Sequence, residues 1–146
     1  MSSEQNGIDM QAAIRSWDRE KARFVQTLAL SLEYVERGKA RVRMPFREEI
    51  TNIVGGVHGG AIVSLCDTCF YIALASIYGK EQETTTTSIS CNFLRQALSP
   101  HDLVADATVL KPGRRIVYGE VHVYSGEHLV AHATVSFLNT PPREQS

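Results

Sequence analysis

Hydrophobic and polar residues change their spacing along the chain, and each spacing predicts a different kind of element. Residues 8–28 carry apolar side chains at loosely helical intervals among charges, which predicts a peripheral N-terminal helical segment within residues 1–28. From Lys39 to Phe46 apolar and polar residues alternate, which is typical of a strand with one face in solvent. We expect this single strand to begin near Leu30.

The most apolar long stretch, residues 57–75, contains a predicted helix whose first turn holds Gly59 and Gly60. Apolar residues occupy almost its whole circumference, and we expect the helix to continue to about Tyr78 and to end at Gly79. Its length approaches that of a membrane span, but hydroxyl residues and Asp67 interrupt it. The sequence therefore predicts a helix buried in the middle of the protein and no membrane partner.

The second half of the chain is strand-like. Short alternating or β-branched segments are separated by short connections, which favours an antiparallel sheet that wraps round the central helix. We predict an α+β fold with one long central α-helix and a curved antiparallel sheet of five to six strands. The predicted strands after the helix are Thr84–Phe93, Leu103–Leu110, Ile116–Tyr124 and Leu129–Phe137, and residues 139–146 are predicted to form a flexible tail.

Composition limits the classes of function. The 146 residues, 43% of them hydrophobic, suit a single domain over residues 1–146. Lysine and arginine number 15 against 16 acids, so net charge gives no attraction to nucleic acid. The N-terminal residues lack the pattern of a secretory signal, and the three cysteines are an odd number in apolar segments. We therefore expect a cytoplasmic protein with reduced thiols and no bound metal.

One acid lies within the apolar helix. At 100° per residue, Ser64, Asp67, Thr68, Tyr71 and Tyr78 fall within a sector of about 100°. The hydroxyls can bond back to helix carbonyls, but an ionised carboxylate cannot satisfy itself in that way. The alternative is a structural role for Asp67, as a buried ion pair or an acceptor for backbone N–H groups, but no Lys or Arg lies three or four residues away. A functional carboxylate is the favoured interpretation.

Two glycines lie at the start of the same helix. The N–H groups of Gly59 and Gly60 belong to the first turn, where backbone donors have no intrahelical partner. Without a Cβ atom, each glycine allows a substrate carbonyl to come close. The pair predicts two free donors for an oxyanion hole, whereas the alternative is that the glycines only make a tight turn.

The spacing between the two features sets a geometric condition. Gly59 and Asp67 are eight residues apart, which is ~12 Å along a continuous helix. A base and an oxyanion donor must both lie about 3 Å from the reacting group. If both groups are catalytic, Asp67 of one subunit must therefore act with Gly59 of another, at a dimer interface.

The motif Asn52-x-x-Gly55-x-x-His58-Gly59-Gly60, followed by Leu65-x-Asp67-Thr68, resembles the signature of hotdog-fold acyl-CoA thioesterases. The phenylacetyl-CoA (phenylacetate-degradation) thioesterase group is the most similar. The resemblance continues through Asn92-Phe93-Leu94-Arg95 and the Gly113-Arg114 turn, covering about residues 40–138. Gln96 departs from the proline that often follows the Phe-Leu-Arg run. The resemblance implies a hotdog fold, homodimers with sheets paired edge to edge, and in many cases homotetramers.

The resemblance also implies roles for individual residues. Asp67 is implied to be the catalytic carboxylate, either as a base toward water or as a nucleophile, and the Gly59 N–H to polarise the thioester carbonyl. His58 and Asn52 are implied to order the surrounding loop, and Thr86 to position the water. Thioester hydrolysis of this kind requires no metal and no cofactor, because the thiolate leaves readily and coenzyme A enters as part of the substrate.

Binding residues are predicted around these groups. Lys111, Arg114 and Arg115 form a basic cluster at one turn that, with Arg95, suits the phosphates of coenzyme A, although exposed basic residues are usually only solvated. Gly60 and Tyr71 are predicted to contact the substrate, an aryl- or medium-chain acyl-CoA. Two alternatives stay open: a non-catalytic acyl-CoA-binding or regulatory hotdog module, and a hotdog dehydratase or hydratase.

Overall fold

The computed structural model describes residues 22–79, 82–98 and 100–140, which form a six-stranded antiparallel sheet and one long helix. The strand order is β1-β2-β4-β5-β6-β3, so the strand that follows the long helix lies at the edge of the sheet, beside the last strand. The elements are α1 (Arg23–Thr27), β1 (Ser31–Glu36), β2 (Lys39–Met44), a 3-10 turn (Glu48–Ile50), α2 (Gly59–Tyr78), β3 (Glu83–Phe93), β4 (Leu103–Pro112), β5 (Ile116–Ser125) and β6 (His128–Thr140).

Helix α2 begins and ends where the sequence predicts. The imidazole of His58 caps its first turn by accepting the Gly60 N–H at Nδ1, at 2.8 Å. At the other end Gly79 adopts a φ of 85°, which stops the helix after Tyr78. The helix is long and apolar enough to cross a membrane, but 56% of that span is buried inside the protein. The predicted hotdog arrangement, a central helix packed against an antiparallel sheet, is confirmed.

The core lies between α2 and the inner face of the sheet. Alternate strand residues such as Val42, Ala105 and Val121 are fully buried there, which follows from the period of two in a strand. Phe70 of the helix packs against Phe137 of β6 with ring centroids 5.3 Å apart. The even-numbered residues of β5, together with His132, Thr134 and Ser136 of β6, therefore lie on the outer face of the sheet.

The prediction of one strand from Leu30 to Phe46 is wrong, because this segment is a β-hairpin. Strands β1 and β2 pair antiparallel across a turn in which Gly38 has a φ of 78°. The Gly38 N–H donates to the buried Ser76 hydroxyl at 2.7 Å, which ties the turn to the end of α2. Strand β1 is mostly exposed because it forms an edge of the sheet, so its residues do not show the alternation that marks a half-buried strand.

The predicted ends of the chain are described only in part. The N-terminal segment 1–28 contributes the short helix α1, and residues 1–21 lie outside the described residues. Strand β6 extends to Thr140, so the prediction that the tail begins at 139 is wrong. Asn139 is buried, and its N–H donates to the Arg115 carbonyl at 2.7 Å, which holds this end of the strand. Residues 141–146 lie outside the described residues.

Candidate active site

Asp67 and Thr86 meet between the helix and the edge strand. Thr86 Oγ1 donates a hydrogen bond to Asp67 Oδ1 at 2.6 Å, and both residues are half-buried. Asp67 Oδ2 has no hydrogen-bond partner in the part of the chain that the structure describes. The carboxylate is thus held in one orientation with an oxygen still free to act.

A β-bulge brings Thr86 to this position. Strict alternation would place Thr86 on the same face as the exposed Ser88 and Ser90, away from the helix. The register of β3 against β6 shifts between Thr86 and Ser88, which adds one residue, Thr87, to the strand. The bulge therefore turns Thr86 toward α2.

The start of α2 offers one free backbone donor. Gly59 is the first helical residue, and its N–H has no hydrogen-bond acceptor among the described residues. The prediction of two free donors is wrong for Gly60, because its N–H is already bound to His58 Nδ1. Capping by a histidine side chain thus leaves Gly59 as the oxyanion donor that this turn can supply.

Asn52 organises the loop that precedes the helix. The side-chain Oδ1 of Asn52 accepts the backbone N–H groups of Val54, at 3.0 Å, and of Gly56, at 3.2 Å. The backbone N–H of Asn52 donates to the Gly56 carbonyl at 2.7 Å. These bonds close a compact loop, and the Thr51–Val57 bridge lies at its base. Asn52 is therefore placed to order the loop, as the resemblance implies, and its catalytic role stays a prediction.

Phe93 is a residue of this region to which the sequence interpretation gave no role. Its ring lies over Gly59, so that a Cβ atom added to the glycine would come 3.2 Å from Phe93 Cζ. The ring is 53% exposed. The apolar ring of Phe93 therefore borders the free Gly59 N–H. The only sign of this residue in the sequence is its position, an aromatic side chain at the end of a strand.

The two halves of the predicted chemistry are separate within one chain. Helix α2 is continuous over its 20 residues, so Gly59 and Asp67 are ~12 Å apart along its axis. The helix is therefore continuous between these two residues, as the separation predicted from the sequence assumes. Tyr71, half-buried one turn beyond Asp67, lies on the same side of the helix.

The basic residues predicted to bind coenzyme A lie at two places. Arg95 follows β3 near the pair Phe93–Ala131, whereas Lys111, Arg114 and Arg115 flank the β4–β5 turn. Through the register with β6, that turn lies level with Thr85, about 26 Å along β3 from Phe93. The structure therefore does not bring Arg95 and the turn together within a single chain. All four side chains are exposed.

Three groups on helix α2 have raised pKa values and are held protonated. Burial raises the pKa of Cys69 to about 12, and the hydrogen bond with Cys91 together with burial raises the pKa of Cys66. Burial also raises the pKa of Tyr78, whose hydroxyl donates to the Gly113 carbonyl at 2.7 Å and anchors the basic turn. Neither helix cysteine is thus a thiolate near neutral pH, and a nucleophilic role for these thiols is disfavoured.

One long helix held against six antiparallel strands is the hotdog fold, and the carboxylate in its helix is a feature expected of an acyl-transfer site. The chain belongs to the thioesterase superfamily, whose family model matches residues 54–137. It is 35% identical over 101 residues to a candidate esterase of Halobacterium salinarum, an alignment that covers 66% of each protein's length.

Solved structures agree with this assignment. A candidate thioesterase from Silicibacter superposes with a TM-score of 0.79 at 26% identity, covering 88% of this chain and 90% of that one. The PaaI protein of the Escherichia coli phenylacetic acid degradation operon superposes with a TM-score of 0.75 at 21% identity, covering 88% and 96%. At 21% identity, the likeness to the PaaI protein shows a shared fold.

Proposed function

We propose that this protein is an acyl-CoA thioesterase that hydrolyses an aryl- or medium-chain acyl-CoA to the free acid and coenzyme A. The observation that carries the proposal is the Thr86–Asp67 hydrogen bond, which holds a carboxylate at the junction of the helix and the open edge of the sheet. Membership of the thioesterase superfamily supports a hydrolase.

The proposed reaction uses two groups of α2: the Gly59 N–H at its start and the Asp67 carboxylate eight residues further on. Asp67 either takes a proton from a water molecule that attacks the thioester carbonyl or attacks that carbon itself. The oxygen of the tetrahedral intermediate carries the negative charge and accepts the Gly59 N–H. The C–S bond then breaks, and coenzyme A leaves as a thiolate that takes up a proton. If water is the attacking group, this step yields the free acid directly. If Asp67 is the nucleophile, the acyl group stays on Asp67 as a mixed anhydride, which a water molecule hydrolyses to release the acid and restore the carboxylate.

The distance along α2 requires that the two groups come from different subunits. Strand β3 has β6 on one side and no strand on the other among the described residues, so its free edge can pair with a second copy. An antiparallel β3–β3 pair with a two-fold axis near Ile89 would bring Thr86 of one subunit toward the partner's Phe93. Because Asp67 contacts Thr86 and Gly59 contacts Phe93, one such pairing assembles two complete sites.

The same pairing would unite the basic residues. It reverses the direction of the partner's β3, so Arg95 of one subunit lies at the same end of the extended sheet as the partner's Arg114 and Arg115. Coenzyme A carries phosphates, which pair well with arginine. We therefore include these residues and Lys111 in a binding site shared between subunits, with Tyr71 beside the acyl group.

The direct test is Asp67→Asn, assayed by release of free thiol from a panel of acyl-CoAs. We expect a loss of at least about 10²-fold in kcat, the usual contribution of a catalytic acid or base. The matched control is Asp106→Asn, an acid bound to Arg41 and directed away from the helix, which should keep wild-type turnover. Both variants should elute as the same oligomer as the wild type.

Two results would contradict the proposal. Turnover by Asp67→Asn at the wild-type rate would remove Asp67 from the chemistry. Tight binding of acyl-CoA by the wild-type protein without any release of thiol would favour a non-catalytic acyl-CoA-binding module instead.

A further inference from the structure

Two histidines and a glutamate form a cluster on the outer face of the sheet. Glu120 and His122 lie two residues apart on β5, and His132 is the cross-strand partner of His122 on β6. Side chains two apart on a strand point to the same face, as do directly paired residues of neighbouring strands. All three side chains therefore project from the face opposite α2, away from Asp67.

The donor atoms of the cluster are close together. His132 Nε2 lies 3.0 Å from Glu120 Oε2, and the imidazole centroids of His122 and His132 are 4.7 Å apart. One ligand atom from each residue lies within 4.8 Å of the other two. Donors bound to zinc at 2.0–2.1 Å in a tetrahedron are about 3.3 Å apart, so modest side-chain rotation is enough to close the set.

The neighbours of the cluster leave it available. His122 has no hydrogen-bond partner among the described residues. Its partner on β4, Asp106, accepts Arg41 at both carboxylate oxygens, at 2.7 and 3.1 Å, and is thereby neutralised. The side chains of His132 and Glu120 are 30% and 31% exposed, so an ion can reach them from solvent.

We propose that Glu120, His122 and His132 form a binding site for a divalent transition-metal ion of the zinc type. Two imidazoles and one carboxylate are a ligand set that zinc commonly takes, and imidazole selects such metals over magnesium or calcium. Three protein ligands leave a fourth position for water or an external ligand. The ion would bridge β5 and β6 on the outer face, remote from the thioesterase chemistry.

The sequence predicted no bound metal, and the separation of these histidines along the chain matches no ligand motif. The set is created by the register between the two strands, which places His132 opposite His122. This assignment does not depend on the proposed catalytic function.

The experiment is calorimetric titration of Zn²⁺ into the full chain after treatment with a chelator. We expect saturable binding of one ion per chain and at least a tenfold loss of affinity in His122→Ala and in His132→Ala, because even residues that only support metal ligands contribute about 10- to 100-fold. Glu120→Gln keeps the shape of the side chain and should also lower the affinity. Mg²⁺ in place of Zn²⁺ should give no such binding.

The matched control is His128→Ala, which removes an exposed histidine from the start of β6 and should leave the affinity unchanged. Circular dichroism without metal verifies that each variant is folded. If a histidine variant does not fold, the Zn²⁺ affinity of Glu120→Gln decides the test. Absence of saturable Zn²⁺ binding, or equal affinity in the wild type and the cluster variants, would overturn the proposal. Loss of binding in His128→Ala would likewise assign the ion elsewhere.

Discussion

At the scale of single residues, the two oxygens of Asp67 have different surroundings. Oδ1 accepts the Thr86 hydroxyl, and Oδ2 has no partner within residues 22–79, 82–98 and 100–140. A carboxylate that is free to rotate must be oriented again in every catalytic cycle, whereas this one is oriented by its neighbour. We therefore expect Thr86 to be a positioning residue that acts through Asp67.

We expect Thr86→Val to lower kcat while leaving KM nearly unchanged. Valine keeps the shape of the side chain and loses the donor. A hydrogen bond to a charged group is worth about 1.5–3 kcal/mol, which corresponds to a loss of roughly 10- to 150-fold. Thr86→Ser restores a hydroxyl at the same place and should recover most of the rate in the thiol-release assay. Equal kcat values for the valine and serine variants would contradict the assigned role.

The Gly59 N–H can be removed without disturbing the helix. Gly59 is the first helical residue, where proline is well tolerated, and His58 before it has an extended backbone with ψ 135° that suits a following proline. We expect Gly59→Pro to lose about 10²–10³-fold in kcat, as for other oxyanion donors. The circular dichroism spectrum should stay that of the wild type.

Gly59→Ala is the matched control, because it adds a Cβ atom but keeps the N–H. That atom meets the outer edge of the half-exposed Phe93 ring at 3.2 Å, and the ring has room to move. The alanine variant should therefore keep far more activity than the proline variant. If both variants lose activity equally, steric exclusion and not the lost donor accounts for the effect.

At the scale of elements, the sequence predicts the helix better than the strands. The bounds of α2 follow from a continuous apolar stretch, the glycines at its start and Gly79 at its end, all of which are local signals. The hairpin at Gly38 and the bulge at Thr87 depend on which strand lies alongside, and the spacing of residues along one segment does not contain that information. Asp67 could thus be selected from the sequence, whereas the orientation of Thr86 could not.

The contact between α2 and the sheet depends on a glycine. A Cβ atom added to Gly119 would lie 2.2 Å from the Thr108 carbonyl oxygen and 2.5 Å from Phe70 Cε2. We expect Gly119→Ala to lower the free energy of unfolding by about 1–3 kcal/mol, measured by urea denaturation, because β5 must move away from the helix. In the control Gly56→Ala, the new atom lies 3.5 Å or more from its neighbours and should leave the midpoint nearly unchanged.

At the scale of the whole molecule, the proposed site can be tested by mixing subunits. On the proposed mechanism, Asp67→Asn and Gly59→Pro should each inactivate both sites of their own homodimer. In a heterodimer of the two, one site combines an intact Asp67 with an intact Gly59, and the other has neither. Co-expression in equal amounts should therefore recover about a quarter of wild-type turnover, since half of the dimers are mixed and half of their sites are intact. Activity no higher than that of the separate variants would place the site within one chain.

The position of β3 at the edge of the sheet also has a consequence for synthesis. Within the chain β3 pairs with β6, and 47 residues separate Phe93 from Thr140. At about 5–20 residues per second, the ribosome needs roughly 2–10 s to make them, and β3 waits unpaired throughout. Unpaired strands promote aggregation when they are apolar, but the first residue of β3, Glu83, is followed by four consecutive threonines, residues 84–87. The same hydroxyl-rich segment that supplies Thr86 to the proposed site should thus lower the tendency of the unpaired strand to aggregate.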